Sequence, residues 1–155
     1  MNRVAIVVLN YLNYKDTIEC VDSILKMHYQ ICGVVIVENG SHNESYVRLK
    51  SQYENQKLIQ IIASKKNLGY ARGNNLGIKY ARNKLRADFV LVVNNDTVFI
   101  EKNYIEILLN KYEPGVGVIG SEIILKDGNK QPPMMDYLGF KDSIARYINM
   151  LSKHC

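Results

Sequence analysis

Val90-Leu91-Val92-Val93-Asn94-Asn95-Asp96-Thr97 is an unbroken apolar run that ends abruptly in two amides, a carboxylate and a hydroxyl. A continuous run of branched residues reads as a strand buried on both faces, the habit of parallel sheets covered by helices. Ligands of such sheets bind just beyond the carboxyl ends of the strands. Oxygen-bearing side chains placed there can hold a hard divalent cation, Mn²⁺ or Mg²⁺, and through it a diphosphate, because these ions prefer oxygen ligands and often share their shell with phosphate. Asp96 is the foremost candidate in this stretch.

Upstream of it the same alternation repeats. Val4 to Leu9 is a first buried strand that ends at Asn10-Tyr11-Leu12-Asn13. From about Asp16 to Met27 the apolar residues Ile18, Val21, Ile24 and Leu25 recur at helical spacing, with Asn13 or Asp16 available as a cap. Gly33 to Val37 is a second strand, running into the turn-forming cluster Glu38-Asn39-Gly40-Ser41. Glu44 to Tyr53 reads as helix and Leu58 to Ala63 as a third strand. A helix then carries Gly73 and Gly77 close together, although a helical glycine costs about 1 kcal/mol relative to alanine. That predicts tight packing, or a ligand close to the backbone.

Downstream, Lys102 to Tyr112 reads as a helix stopped by Pro114-Gly115. Val116 to Gly120 and Glu122 to Leu125 read as further strand, with a hairpin turn at Lys126-Asp127-Gly128-Asn129. Gln131-Pro132-Pro133 marks a break, which sets the expected boundary between a main domain, residues 1–131, and a helical tail, residues 132–155. In the tail, Ile144, Tyr147, Ile148 and Leu151 have helical spacing with basic residues between them. This pattern suits docking on the domain or on a partner such as a second copy of the chain; it also suits peripheral association with the inner face of a membrane. Strands alternating with helices four times predict an α/β fold, a three-layer sandwich with a mainly parallel central sheet.

A chain of 155 residues with 47% hydrophobic and 23% charged residues is ordinary globular material with a real core. Its longest apolar runs are too short to span a bilayer and Met1-Asn2-Arg3 leads straight into a strand, so the expected location is the cytoplasm. Three cysteines without metal-ligand spacing argue against disulfide or zinc roles. The net charge of +5 suits an anionic ligand, but the lysines and arginines are spread along the chain, which argues against nucleic acid as a partner.

Three strand ends carry polar groups: Asn10, Glu38 with Asn39, and Asn94 with Asp96. In a parallel sheet all three lie along one edge and face one cleft. Each alone has a plain structural explanation, since Asn and Asp end strands and cap helices. Together, with the loop from Asn67 to Gly77 nearby, they point to a site. No Walker loop is present and no glycine triplet follows the first strand, which weakens kinase and dehydrogenase readings. A nucleotidyltransferase would want an arginine- and glycine-rich phosphate loop there as well. His28, His42 and His154 form no pattern with a nucleophile and a supporting acid.

In order and spacing, Val4 to Asn13, Val35 to Ser41, Asn67-Leu68-Gly69-Tyr70-Ala71-Arg72-Gly73-Asn74-Asn75-Leu76-Gly77 and Leu91 to Thr97 resemble the nucleotide-sugar half of family-2 glycosyltransferases. These have the GT-A fold, a Rossmann-like nucleotide-diphosphosugar transferase architecture, and the likeness is to the rhamnosyltransferase-like bacterial branch. It covers about residues 3 to 131. The resemblance implies that Asn10 and Tyr11 contact the nucleotide base and ribose, with Glu38, beside Asn39, where the family commonly has an aspartate that binds the base. It implies that Asn67, Gly69, Arg72 and Asn75 close over the diphosphate and donor sugar. Asn94-Asn95-Asp96 matches the Asp-x-Asp motif, with Asp96 as the metal contact and Mn²⁺ or Mg²⁺ as cofactor.

The implied partners are a nucleoside diphosphate sugar, of the dTDP or UDP kind, and a glycan or lipid-linked acceptor, with transfer by inversion. Asn94 replaces the first acid of the strict motif, and Glu38 reaches one methylene further than aspartate. Family members carry their acceptor site and catalytic base after the region where this chain stops. Of the acids after residue 120, Glu122, Asp127, Asp136 and Asp142, none sits in a matching motif. No catalytic base is therefore assigned, and the chain reads as a truncated form, a split-gene product or a donor-binding module.

Overall fold

The computed structural model describes residues 2–121, 123–125 and 127–131. The expected tail helix over residues 132–155 lies outside them. In chain order the elements are β1 (Val4–Asn10), α1 (Tyr14–Ile24), β2 (Gly33–Glu38), α2 (Ser45–Tyr53), β3 (Ile59–Ala63), α3 (Tyr70–Asn83), β4 (Phe89–Asn94), α4 (Tyr104–Leu109), β5 (Ile123–Ile124) and β6 (Lys130–Gln131). The chain divides after Ile107 into two compact units.

In the first unit, β3-β2-β1-β4 form one parallel sheet in that order. β1 and β2 are the central strands, and their valine and isoleucine runs are buried on both faces, as continuous apolar runs demand. The connections β1 to β2 to β3 step one way across the sheet and β3 to β4 steps back. Right-handed crossovers then put α1 and α2 on one face and α3 on the other, giving the three layers. α1 begins where the Asn13 side chain accepts the Asp16 N–H, and it buries Thr17, Cys20, Val21 and Ile24.

α3 explains its own glycines. Gly73, Gly77 and Ala81 fall at intervals of four, a buried stripe lying on β1 and β2. A Cβ on Gly73 would come within 2.6 Å of the Leu9 side chain, and one on Gly77 within 2.8 Å of Val37. The glycines let the helix lie directly on the sheet, so tight packing, not ligand approach, accounts for them.

The structure corrects three expectations. β4 is an outer strand of the described sheet: Val93 is buried, but Val92 is 38% exposed, because β4 pairs only with β1 among the described residues. Its apolar run therefore does not mean burial on both faces. Residues 116–120 form no strand; Gly117 and Gly120 interrupt the run and Val118 is 79% exposed, so no packed surface favours an extended pairing. α4 is shorter than the expected Lys102–Tyr112, its second end closing in i to i−3 turns at Lys111 and Tyr112. In the second unit the expected hairpin is present: β5 pairs antiparallel with β6, and the Leu125 N–H donates to the Asn129 carbonyl at 2.8 Å.

Candidate active site at the carboxyl ends of β1 and β4

The strand order places β2 on one side of β1 and β4 on the other, so the segments leaving β1 and β4 diverge and open a crevice at their carboxyl ends. An open cleft of about 270 Å³ lies there, lined by Leu9, Tyr11, Tyr70, Asn94, Asn95 and Asp96. Leu9 stands opposite Asn94 in the parallel register, which fixes the two walls at one height.

The β4 wall is built by anchoring. Three contacts tie the segment after β4 to α1: the Cys20 thiol donates to the Asn94 carbonyl at 3.6 Å, Asn95 Nδ2 donates to Thr17 Oγ1 at 3.1 Å, and the Phe99 N–H donates to Ser23 Oγ at 3.1 Å. Asn95 Nδ2 also reaches the Asn13 carbonyl at 3.2 Å. Between these ties Asp96 is exposed, with no ion pair among the described residues. Its charge is felt below: burial first, and Asp96 second, push the Cys20 thiol up to about 12. Across the cleft, the Tyr70 hydroxyl donates to Asn94 Oδ1 at 2.8 Å.

The β1 wall is Tyr11, 41% exposed. It precedes Leu12, whose backbone has φ +64°, a left-handed conformation that a leucine holds only when its surroundings impose it. Here Ser41 Oγ accepts the Leu12 N–H at 2.9 Å and Asn43 Nδ2 donates to its carbonyl at 2.8 Å. Asn10 itself is fully buried beneath, accepting from Thr17 Oγ1 at 2.8 Å, while its Nδ2 has no partner.

The β2 end is constructed differently. Glu38 is 3% exposed and its carboxylate accepts the Ser41 N–H at 2.8 Å. Asn39, 2% exposed, accepts the Leu68 N–H at 3.0 Å and donates to Asn67 Oδ1 at 3.0 Å and the Gly69 carbonyl at 3.4 Å. Asn67 Oδ1 also accepts the Gly69 N–H at 2.8 Å. Asn39 thus sets the loop from which α3 starts at Gly69, whose φ is +77°. Arg72 and Asn75 are exposed near the start of α3.

Of the residues singled out from sequence, the structure brings Tyr11, Asn94, Asn95 and Asp96 together around the cleft. Asn10, Glu38 and Asn39 lie buried beside it, and Asn67, Gly69, Arg72 and Asn75 sit in and after the loop that leads to Tyr70. Sequence reasoning missed Tyr70 and Thr17 as parts of the site. Tyr70 could have been found as the first residue after the helix-opening glycine; Thr17 carried no signal beyond its place one turn after Asn13.

No group of three His, Cys, Asp or Glu among the described residues is placed to hold a metal. The oxygen donors at the cleft include one carboxylate, Asp96, and the Asn94 amide oxygen, which keeps a lone pair beyond its bond from Tyr70. That set fits Mn²⁺ or Mg²⁺ of the kind that binds one or two protein oxygens and completes its shell with water and substrate phosphate.

The sequence profile of glycosyl transferase family 2 matches residues 4–153. The chain belongs to glycosyltransferase family 2. Among curated relatives, this family-2 chain is 28% identical over 131 residues to a low-salt glycan biosynthesis hexosyltransferase of Haloferax volcanii, covering 83% of this chain and 39% of the relative. It is 26% identical over 110 residues to the glycosyltransferase GlyG of Streptococcus pneumoniae, covering 71% and 35%. The chain therefore spans less than half the length of these relatives. Among solved structures, the Pyrobaculum calidifontis mannosyltransferase PcManGT in complex with GDP-Man and Mn²⁺ superposes with a TM-score of 0.66 at 19% identity, covering 74% of this chain and 34% of that one. S. aureus TarS in complex with UDP-GlcNAc gives 0.54 at 19% identity, covering 77% and 37%. These likenesses establish the GT-A-type α/β fold. No described helix is long and apolar enough to cross a membrane.

Proposed function

We propose that this chain is the donor-binding part of an inverting glycosyltransferase, moving a sugar from a nucleoside diphosphate sugar of the UDP or dTDP kind to a glycan or lipid-linked acceptor. The observation that carries the reading is the exposed Asp96, without an ion pair among the described residues, just past the carboxyl end of β4 and lining one cleft with Tyr11, which follows β1. In this reading Tyr11 receives the nucleoside and Asp96, with Asn94, receives the diphosphate end. A bound Mn²⁺ or Mg²⁺ would supply Lewis-acid neutralisation of the leaving diphosphate. Arg72, exposed near the start of α3, adds positive charge on the side from which the phosphates enter. Glu38 and Asn39 hold the shape of the neighbouring wall, and Asn10 fixes the floor. The rhamnosyltransferase-like branch, a domain boundary near residue 131, and work at the cytoplasmic face of a membrane complete the proposal.

The cleft lining contains a single acid, Asp96. A carboxylate committed to the cation cannot also deprotonate an acceptor, which favours a second reading: a nucleotide-sugar-binding module whose catalytic base comes from elsewhere. Calorimetry with Mn²⁺ and a panel of UDP-, dTDP- and GDP-sugars tests both. Wild type is expected to bind at least one donor, and Asp96→Ala to weaken that binding at least about 30-fold, equivalent to roughly 2 kcal/mol. No binding to any donor would sink the proposal. Binding with no transfer or donor hydrolysis would select the second reading.

A further inference from the structure

Thr17 is buried, belongs to α1, and does not line the cleft, yet its hydroxyl joins three separate segments of the chain. Its oxygen lies 2.8 Å from Asn10 Oδ1 at the end of β1, 3.0 Å from the Asn13 carbonyl at the start of α1, and 3.1 Å from Asn95 Nδ2 after β4. A hydroxyl has one proton and two lone pairs, so it can donate to Asn10 or Asn13 while accepting from Asn95. Asn95 is the residue immediately before Asp96. Among the described residues its amide Nδ2 donates to this hydroxyl and to the adjacent Asn13 carbonyl.

The tie is the middle one of three. Cys20 holds Asn94 and Ser23 holds Phe99, each one turn further along the same face of α1. Those two fix where the segment leaves β4 and where it returns, and Thr17 fixes the tip between them. Among the described residues the Asp96 carboxylate has no ion-pair partner that would orient it.

We propose that Thr17 is a positioning residue for the cation and diphosphate subsite: through Asn95 it holds the Asp96 carboxylate toward the cleft, and through Asn10 it keys that position to the floor beneath the nucleoside. The inference rests on the donor-binding reading above and adds to it a residue outside the cleft that sets cation affinity. A role in packing alone makes the opposite prediction. Valine matches threonine in shape and lacks the hydroxyl; serine keeps the hydroxyl and leaves a methyl-sized void.

The test is Mn²⁺ uptake by equilibrium dialysis at fixed UDP, dTDP or GDP, with a protein-free control, on wild type, Thr17→Val and Thr17→Ser. Thr17→Val is expected to raise the Mn²⁺ dissociation constant about tenfold and Thr17→Ser to stay within about twofold of wild type. Asn95→Ala, which removes the bond from its other end, is expected to match Thr17→Val, and the double variant to be no weaker than either single one. Should Thr17→Val fail to fold, Asn95→Ala with Thr17→Ser carries the comparison. Wild-type uptake with Asn95→Ala or a folded Thr17→Val unchanged, or with serine more damaging than valine, overturns the inference alone. No uptake by wild type with any of the three nucleotides overturns the donor-binding reading, and the inference with it.

Discussion

The ends of β2 and β4 begin from nearly the same chemistry and finish in opposite conditions. Each is a branched apolar run that stops at an acid and asparagines: Glu38-Asn39 in one, Asn94-Asn95-Asp96 in the other. At the β2 end both side chains are almost fully buried; Glu38 Oε1 accepts from Ser41, and the Asn39 amide is bonded to Asn67, Leu68 and Gly69. At the β4 end the anchoring is done from below by α1, and the acid is left open to the cleft. β2 is flanked by strands on both sides, whereas β4 has a described neighbour only in β1. Among the described residues the polar strand end in the middle of the sheet is enclosed, and the one beside the topological switch is open at the cleft.

This contrast can be broken by substitution. Asn39→Ala removes three hydrogen bonds at a buried position and leaves the Leu68 N–H without its acceptor, so a loss of about 2–3 kcal/mol in urea denaturation is expected. Asp96→Ala, at the exposed end, is expected to change stability by no more than about 0.5 kcal/mol while weakening donor binding at least about 30-fold. Equal losses of stability in the two variants would dissolve the distinction.

A smaller effect concerns the support under the open end. Burial, reinforced by Asp96, raises the Cys20 thiol to about 12 in the folded chain, above its ordinary 9.0. The folded state therefore favours the neutral thiol. Its contribution to stability is complete below pH 9 and is lost as pH rises from 9 toward 12, by a quantity of order 1 kcal/mol at pH 10. Denaturation at pH 8 and pH 10 should show the decline, and Cys20→Ala should make it shallower. The smallest change expected is for Tyr70→Phe, which takes the hydroxyl from Asn94 Oδ1 at an exposed site; donor affinity should fall about threefold, measured by calorimetry, with the fold intact.

Much of the layout was legible in the residues. Val4–Leu9 and Gly33–Val37 announced strands, because apolar runs report directly on burial, and the α3 glycines announced tight packing or a ligand near the backbone, of which the structure shows the packing. The position of the cleft followed from strand ends in a parallel sheet. What could not be read was which strand ends turn inward. Glu38 and Asn39 look like Asp96 in sequence, and only the path of the 67–69 loop, closing over Asn39, shows that end to be enclosed. The run from Val90 to Val93 concealed an outer strand, since β-branched residues serve a half-covered strand as well as a buried one. Thr17 stayed hidden because its hydroxyl joins the end of β1 to Asn95, a partner 78 positions away in sequence.

The most direct test of the central claim is backbone NMR of the chain titrated with Mg²⁺ and UDP, dTDP or GDP. The account predicts the largest amide shifts at Tyr11, Tyr70 and Asn94 to Thr97, and only small ones at the cavity between Met27 and Ile31 at the opposite end of the sheet. Shifts centred on that opposite cavity, or none at Asn94 to Thr97, would contradict it.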